Sequence, residues 1–238
     1  MAEGQLFQGW INPLQFLEVD EPWAAFETNP PSLENVIDFI CTPGTESDLE
    51  SLIARYREIS QEEQRLFIAP AEDRILDKLV WPLRNAKANY VVGNYLGTIS
   101  LCGMVAEMVA ILLFEISEFK INNGIMAEDD QIATFGSSFE KLGQYRRVQI
   151  LHTYGIIDKE TKDAFDLIRL KRKRYLHLWS QDHDTLASDA RETYNSAVLI
   201  AVTAIGQDIT DGKINLNPAL VKYLQRSGIF EETDDDEC

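Results

Sequence analysis

Apolar positions recur at helical spacing through most of this 238-residue chain, and no stretch alternates convincingly as a half-buried strand would. Thr45-Glu46-Ser47-Asp48 resembles a capping arrangement, and Leu49, Leu52, Ile53 and Tyr56 follow it on one helical face. Beyond a break at Pro70, Ile75, Leu76, Leu79 and Val80 lead to Pro82, where a helix should kink or restart. From Leu83 to about Phe119 the pattern predicts one long helix. It is apolar on most sides near its middle, as at the centre of a bundle. Residues 121–138 carry Gly, Asn, Asp and Ser clusters and read as a loop with at most one short turn. A helix over 139–154 is stopped by Gly155, and Asp158 N-caps the next. A further helix is predicted over 186–209, with Tyr194, Ala197, Val198, Ala201, Val202 and Ile205 buried and Gly212 ending it. Pro218 opens a last short helix. The expected fold class is all-α.

The ends of the chain differ from this helical body. Pro13, Pro22, Pro30 and Pro31 break residues 1–31 into an irregular arm, with Trp10, Phe16, Trp23 and Phe26 as apolar anchors. The acidic run from Glu231 to Glu237 reads as a disordered tail. The expected layout is an arm and helical extension over 1–65, a helical bundle over 66–228 and an acidic tail over 229–238.

Charge narrows the function. Asp and Glu number 39 against 22 Lys plus Arg, a formal net charge of −17. So acidic a molecule repels a polyanion at long range, which excludes a general nucleic-acid coat and leaves only a local basic patch for such contact. Cys41, Cys102 and Cys238 form no CxxC pair, which suits a reducing compartment and argues against a disulfide framework or zinc finger. The first ten residues lack a basic-then-apolar leader, so no secretory signal is expected and the protein is placed in the cytoplasm. Residues 97–116 are apolar enough to require a membrane test. Glu107 in their middle favours a buried core helix over a span, and no membrane association is expected.

The dense positive patch is Arg169, Lys171, Arg172, Lys173 and Arg174, interrupted only by Leu170. Most such runs are solvated helix faces that also offset a helix dipole. Here, at about 100° per residue, Arg172 falls on the stripe of Ala164, Phe165, Ile168, Tyr175 and Trp179. A charge on an apolar face needs a partner. Glu107, on a stripe with Gly103, Met104, Ala110, Ile111 and Phe114, supplies one, so a buried Arg172–Glu107 ion pair between packed helices is expected. Such a pair can be plain core architecture, or it can hold a guanidinium ready for a phosphate. His177 lies about 140° around an ideal helix from Arg172 and cannot share its face unless the helix ends nearby or two chains meet across a groove. A lone His is more often structural than catalytic. His183, Asp182 and Asp184 near it do not make a metal site, and no metal or cofactor is expected.

The segment from Ile168 to His177, with Arg172, four residues and then His177, resembles the signature helix of the HEPN superfamily (higher eukaryote and prokaryote nucleotide-binding domains). The likeness covers roughly residues 70–210. Residues 89–116 resemble the family's second helix around Glu107, residues 139–157 the lead-in, and residues 194–209 the helix that follows. Two positions depart from the family pattern: Lys173 stands where a polar residue, often Asn, is usual, and Trp179 where many toxin members carry a modifiable Tyr.

The resemblance implies a HEPN-like bundle acting as a homodimeric, metal-independent endoribonuclease. Arg172 would contact the scissile phosphate and His177 would move the proton. Glu107 would orient Arg172, while Arg169, Lys173 and Arg174 would attract RNA. By analogy the setting would be a toxin or antiphage-defence component, with a protein partner or antitoxin. The competing class is a non-catalytic HEPN-like interaction module, which the acidic surface and the Trp-bearing arm also suit. A small-molecule binder is a third reading, without a Gly-rich phosphate loop to support it.

Overall fold

The computed structural model describes residues 40–41, 48–60, 76–121, 124–177, 184–206, 208–210 and 213–226. The N-terminal arm, the Pro70 break and the acidic tail lie outside the described residues, as do Trp179, Asp182 and His183. Among the described residues the chain is mainly helical. α1 (Leu49–Ser60) precedes a π-turn (Leu76–Val80) that runs into α2 (Trp81–Val91), followed by α3 (Tyr95–Ile116) and α4 (Glu128–Phe135). Then come α5 (Gln144–Thr153), α6 (Lys159–Arg172) with a terminal π-turn (Lys173–His177), α7 (Leu186–Ile205) and α8 (Pro218–Arg226). Two minimal antiparallel ladders, β1 (Lys120–Ile121) with β2 (Gly124–Ile125) and β3 (Asp208–Thr210) with β4 (Lys213–Asn215), decorate the connections.

Sequence and structure part at several boundaries. The long helix predicted from Leu83 is two helices. Gly93 at φ 82° takes a conformation costly for other residues, and the Asn94 side chain then accepts the Gly97 N–H at 3.0 Å to start α3 afresh. The buried Thr98 hydroxyl donates to the Ala86 carbonyl at 3.0 Å and ties α2 to α3 as a hairpin. The predicted loop over 121–138 contains α4, an eight-residue helix ended by Gly136 at φ 78°. The predicted helix over 139–154 is a short 3₁₀ turn (Phe139–Lys141), a break at Leu142-Gly143, and α5. α7 stops at Gly206, with φ 62°, before Gly212 is reached. Other signals hold. Asp48 accepts from the Ser51 N–H, Asp158 N-caps α6 through the Thr161 N–H at 2.8 Å, α2 restarts at Pro82, and Pro218 opens α8.

α3 sits at the centre, with α2, α6, α7, α5 and α8 packed around it. Its length and composition alone would let it cross a membrane, yet half of its most apolar window is buried against other helices. Val105, Ala106, Val109 and Ala110 are sealed in the core with Phe165 and Ile168 of α6 and Ala197, Ala201 and Ile205 of α7. Fully burying such side chains contributes about 1.5–3 kcal/mol each for the larger ones. At the far end Phe114 stacks on Phe139 at 3.9 Å and on Phe119 at 4.5 Å, which anchors the irregular stretch leading into α5. α1 joins the body through Ile59, which shares a second cluster with Tyr90, Ile99, Tyr175 and Ala190. Polar ties reinforce it: Arg55 donates to the Val91 carbonyl at 2.6 Å, and Glu58 takes Tyr90 and Arg191 at 3.0 and 2.8 Å.

Candidate functional site

The end of α6 meets α3 where the apolar stripe Ala164, Phe165 and Ile168 gives way to Arg172. The ion pair expected from the stripe forms, Arg172 Nη1 donating to Glu107 Oε1. Its burial differs from expectation. The Arg172 and Glu107 side chains remain 32% and 36% exposed, because the pair faces a cleft rather than the core. That cleft, about 450 Å³, lies between α3, the start of α5 and the end of α6. Four cationic side chains (Arg146, Arg169, Arg172 and Lys173) line it against the single carboxylate of Glu107, and Tyr145 stands on one wall.

What seats Arg172 is a missing side chain. A Cβ on Gly103 would come within 2.6 Å of Arg172 Cδ and 3.1 Å of Nε, so the arginine stem lies directly across the α3 backbone. Arg172 Nε is buried there without a hydrogen-bond partner, while Nη1 is held by Glu107. The side chain nevertheless keeps about a third of its surface open where it lines the cleft. Arg169 pairs with Asp166 at 3.2 Å and lays its guanidinium 5.2 Å from the centroid of the Tyr145 ring. Burial raises the Asp166 carboxyl, but hydrogen bonds from Lys162 and Arg169 outweigh it and hold the group below its ordinary value. Arg146 and Lys173 are exposed and carry no ion pair among the described residues.

The other half of the basic run points elsewhere. Lys171 reaches Asp189 of α7 at 2.6 Å and Glu192 at 3.1 Å, and Arg174 reaches Asp189 at 3.4 Å. Tyr175 donates its hydroxyl to the same carboxylate at 2.5 Å, and the Thr185 hydroxyl adds a contact at 3.2 Å. Burial pushes the Asp189 carboxyl up, but these partners, Lys171 foremost, bring it below its ordinary value. Burial likewise lowers Lys171, and its two carboxylates more than restore it. Arg174, expected beside Arg169 and Lys173, is therefore bound to this internal node and does not line the cleft.

His177 requires a correction of geometry. The helix does not continue in α form past Arg172 but widens into the π-turn Lys173–His177. A π-turn closes its hydrogen bonds over five residues rather than four, so each residue turns through a smaller angle than in an α-helix. The main chain of His177 therefore lies closer in angle to Arg172 than the about 140° of α geometry. Its side chain lies outside the described residues.

Sequence reasoning found Arg172, Glu107, Arg169 and Lys173, which the structure brings together, but missed the α5 wall. Gly143, Gln144, Tyr145 and Arg146 lie in the break before α5 and in its first turn, where no side chain caps the helix. The Gly-Gln-Tyr-Arg-Arg run itself was the available signal: an unhindered helix start followed at once by an aromatic and two cations. No family model, curated protein or solved structure matches this chain, so a functional reading must rest on the cleft itself.

Proposed function

We propose that this protein is a metal-independent endoribonuclease of the HEPN type, acting on RNA in the cytoplasm as a homodimer, in a toxin or antiphage-defence setting. The observation that carries the reading is Arg172, fixed by Glu107 on the wall of an open cleft in which cations outnumber carboxylates. A phosphodiester laid there would meet a guanidinium whose orientation is already determined, and charge developing on phosphorus-bound oxygens would be stabilised without reorganisation. His177 would take the 2′-hydroxyl proton or return one to the departing 5′-oxygen. The 2′-oxygen attacks phosphorus, the bond to the 5′-oxygen breaks, and a 2′,3′-cyclic phosphate and a 5′-hydroxyl result. The π-turn supports this division of labour, since it removes the α-helical spacing that would hold Arg172 and His177 about 140° apart.

The test is RNA cleavage by the purified protein in EDTA, beside Arg172→Ala and His177→Ala. The expected result is cleavage that survives EDTA and falls about 10²–10³-fold in Arg172→Ala, the cost of one transition-state donor, with a similar or larger loss in His177→Ala. A well-folded protein that binds RNA without cleaving it would favour the non-catalytic interaction module.

A further inference from the structure

The cleft has a feature that charge attraction alone does not require. Tyr145 is 56% exposed on its wall, a large aromatic ring kept at the surface with the Arg169 guanidinium against it. Arg146, its neighbour, lines the same cleft with no carboxylate neutralising it among the described residues. A ring in solvent gains little, whereas a ring beside cations in a cleft of this volume offers a π-surface next to a phosphate-binding edge.

We propose that Tyr145 and Arg146 form a nucleotide subsite that stacks one unpaired base on the tyrosine ring and holds the adjoining phosphate. Arg169, already stacked on that ring, completes an arginine–tyrosine–base layer. Tyr145 and Arg146 come from α5, whereas Glu107 and Arg172 come from α3 and α6, so the subsite grips a nucleotide flanking the scissile bond rather than the bond itself. It rests on the ribonuclease reading and adds to it a substrate form. Bases within a duplex are stacked on one another and cannot reach the ring, so single-stranded RNA is selected over a duplex.

The experiment is fluorescence anisotropy with three probes of equal length. These are a single-stranded 2′-O-methyl oligonucleotide, which lacks the attacking hydroxyl and stays intact, the same strand with abasic positions, and its duplex. The wild-type protein should bind the single strand about tenfold more tightly than the abasic strand. Tyr145→Ala should remove that difference while leaving abasic binding nearly unchanged, and Tyr145→Phe, which keeps the ring, should restore it. Arg146→Ala should weaken both single strands equally and lower the salt slope by about one. The subsite is overturned if Tyr145→Ala binds the base-bearing strand as wild type does, or if wild type ignores base removal, with cleavage intact. Failure of the wild type to bind any strand would sink the ribonuclease reading, and the subsite with it.

Discussion

Within six residues of one helix end, the same chemistry is put to two uses. Lys171 and Arg174 converge with the Tyr175 hydroxyl on Asp189, whose side chain is only 9% exposed, and both oxygens of that carboxylate have partners. Arg169, Arg172 and Lys173, interleaved with them in sequence, face the cleft and outnumber the carboxylate that lines it. Both groups are cationic and both lie in a run that looks uniform. The difference is the opposing helix. α7 supplies an inward Asp189 at its start, whereas α3 supplies a single half-exposed Glu107 and, at Gly103, open backbone. Positive charge joins α6 to α7 on one side and is left available to a ligand on the other.

This contrast can be broken at three places. Asp189→Asn should have the largest effect. It removes the buried carboxylate shared by Lys171, Arg174 and the Tyr175 hydroxyl, leaving Lys171 with the more exposed Glu192, with an expected loss of about 3 kcal/mol measured by urea unfolding. The pH dependence follows from the lowered carboxyl. Because the folded-state value lies below the ordinary one, the stabilisation is fully present above about pH 4 and drains as pH falls through the lowered value. The Asn variant should lack that acid-side slope, and an unchanged slope would mean that the node does not act as an ion-pair centre.

Gly103→Ala should come next, and it separates site from scaffold. The atoms nearest the added methyl all belong to the Arg172 stem, so the helix should be unharmed and gain up to about 1 kcal/mol of intrinsic propensity. RNA cleavage should nevertheless fall about tenfold or more, since a displacement near 1 Å of a positioned group can cost as much as 10²-fold. Loss of folding with loss of activity would show that position 103 serves packing alone.

The smallest effect should come from Lys173→Ala set beside Lys171→Ala. The first should reduce RNA affinity a few-fold, with a shallower salt dependence and no change in melting temperature. The second should lower the melting temperature and leave the salt slope of RNA binding alone. Equal behaviour of the two would erase the division between the faces.

The legible parts of the molecule were those set by local pattern. Asp158, Pro82 and Pro218 mark helix starts by their own chemistry, and the stripe through Phe165, Ile168 and Arg172 carried enough periodicity to name Glu107 as the partner across 65 residues. Gly93 was masked by apolar residues on both sides, since an isolated glycine within a helical pattern is usually tolerated. The site was half legible for a similar reason. Arg172 and Lys173 stand out in sequence, but Tyr145 and Arg146 reach the cleft only because Phe139, stacked on Phe114, fixes where the chain re-enters as α5. The π-turn was not legible at all, because it changes the period on which every angular argument past Arg172 depends.

Gly103 bears on how freely this protein can vary. Every other amino acid adds at least a Cβ, and that first atom already falls within 2.6 Å of the Arg172 stem. No neutral substitution exists at this position: the first step away from glycine already displaces Arg172. A buried leucine in the core can drift to isoleucine or methionine at modest cost, but position 103 allows no such drift while Arg172 keeps its place. In a library of random variants, every substitution at position 103 should therefore cost function even where folding tolerates the change, and its tolerance profile should follow that of Arg172 rather than that of its own helix.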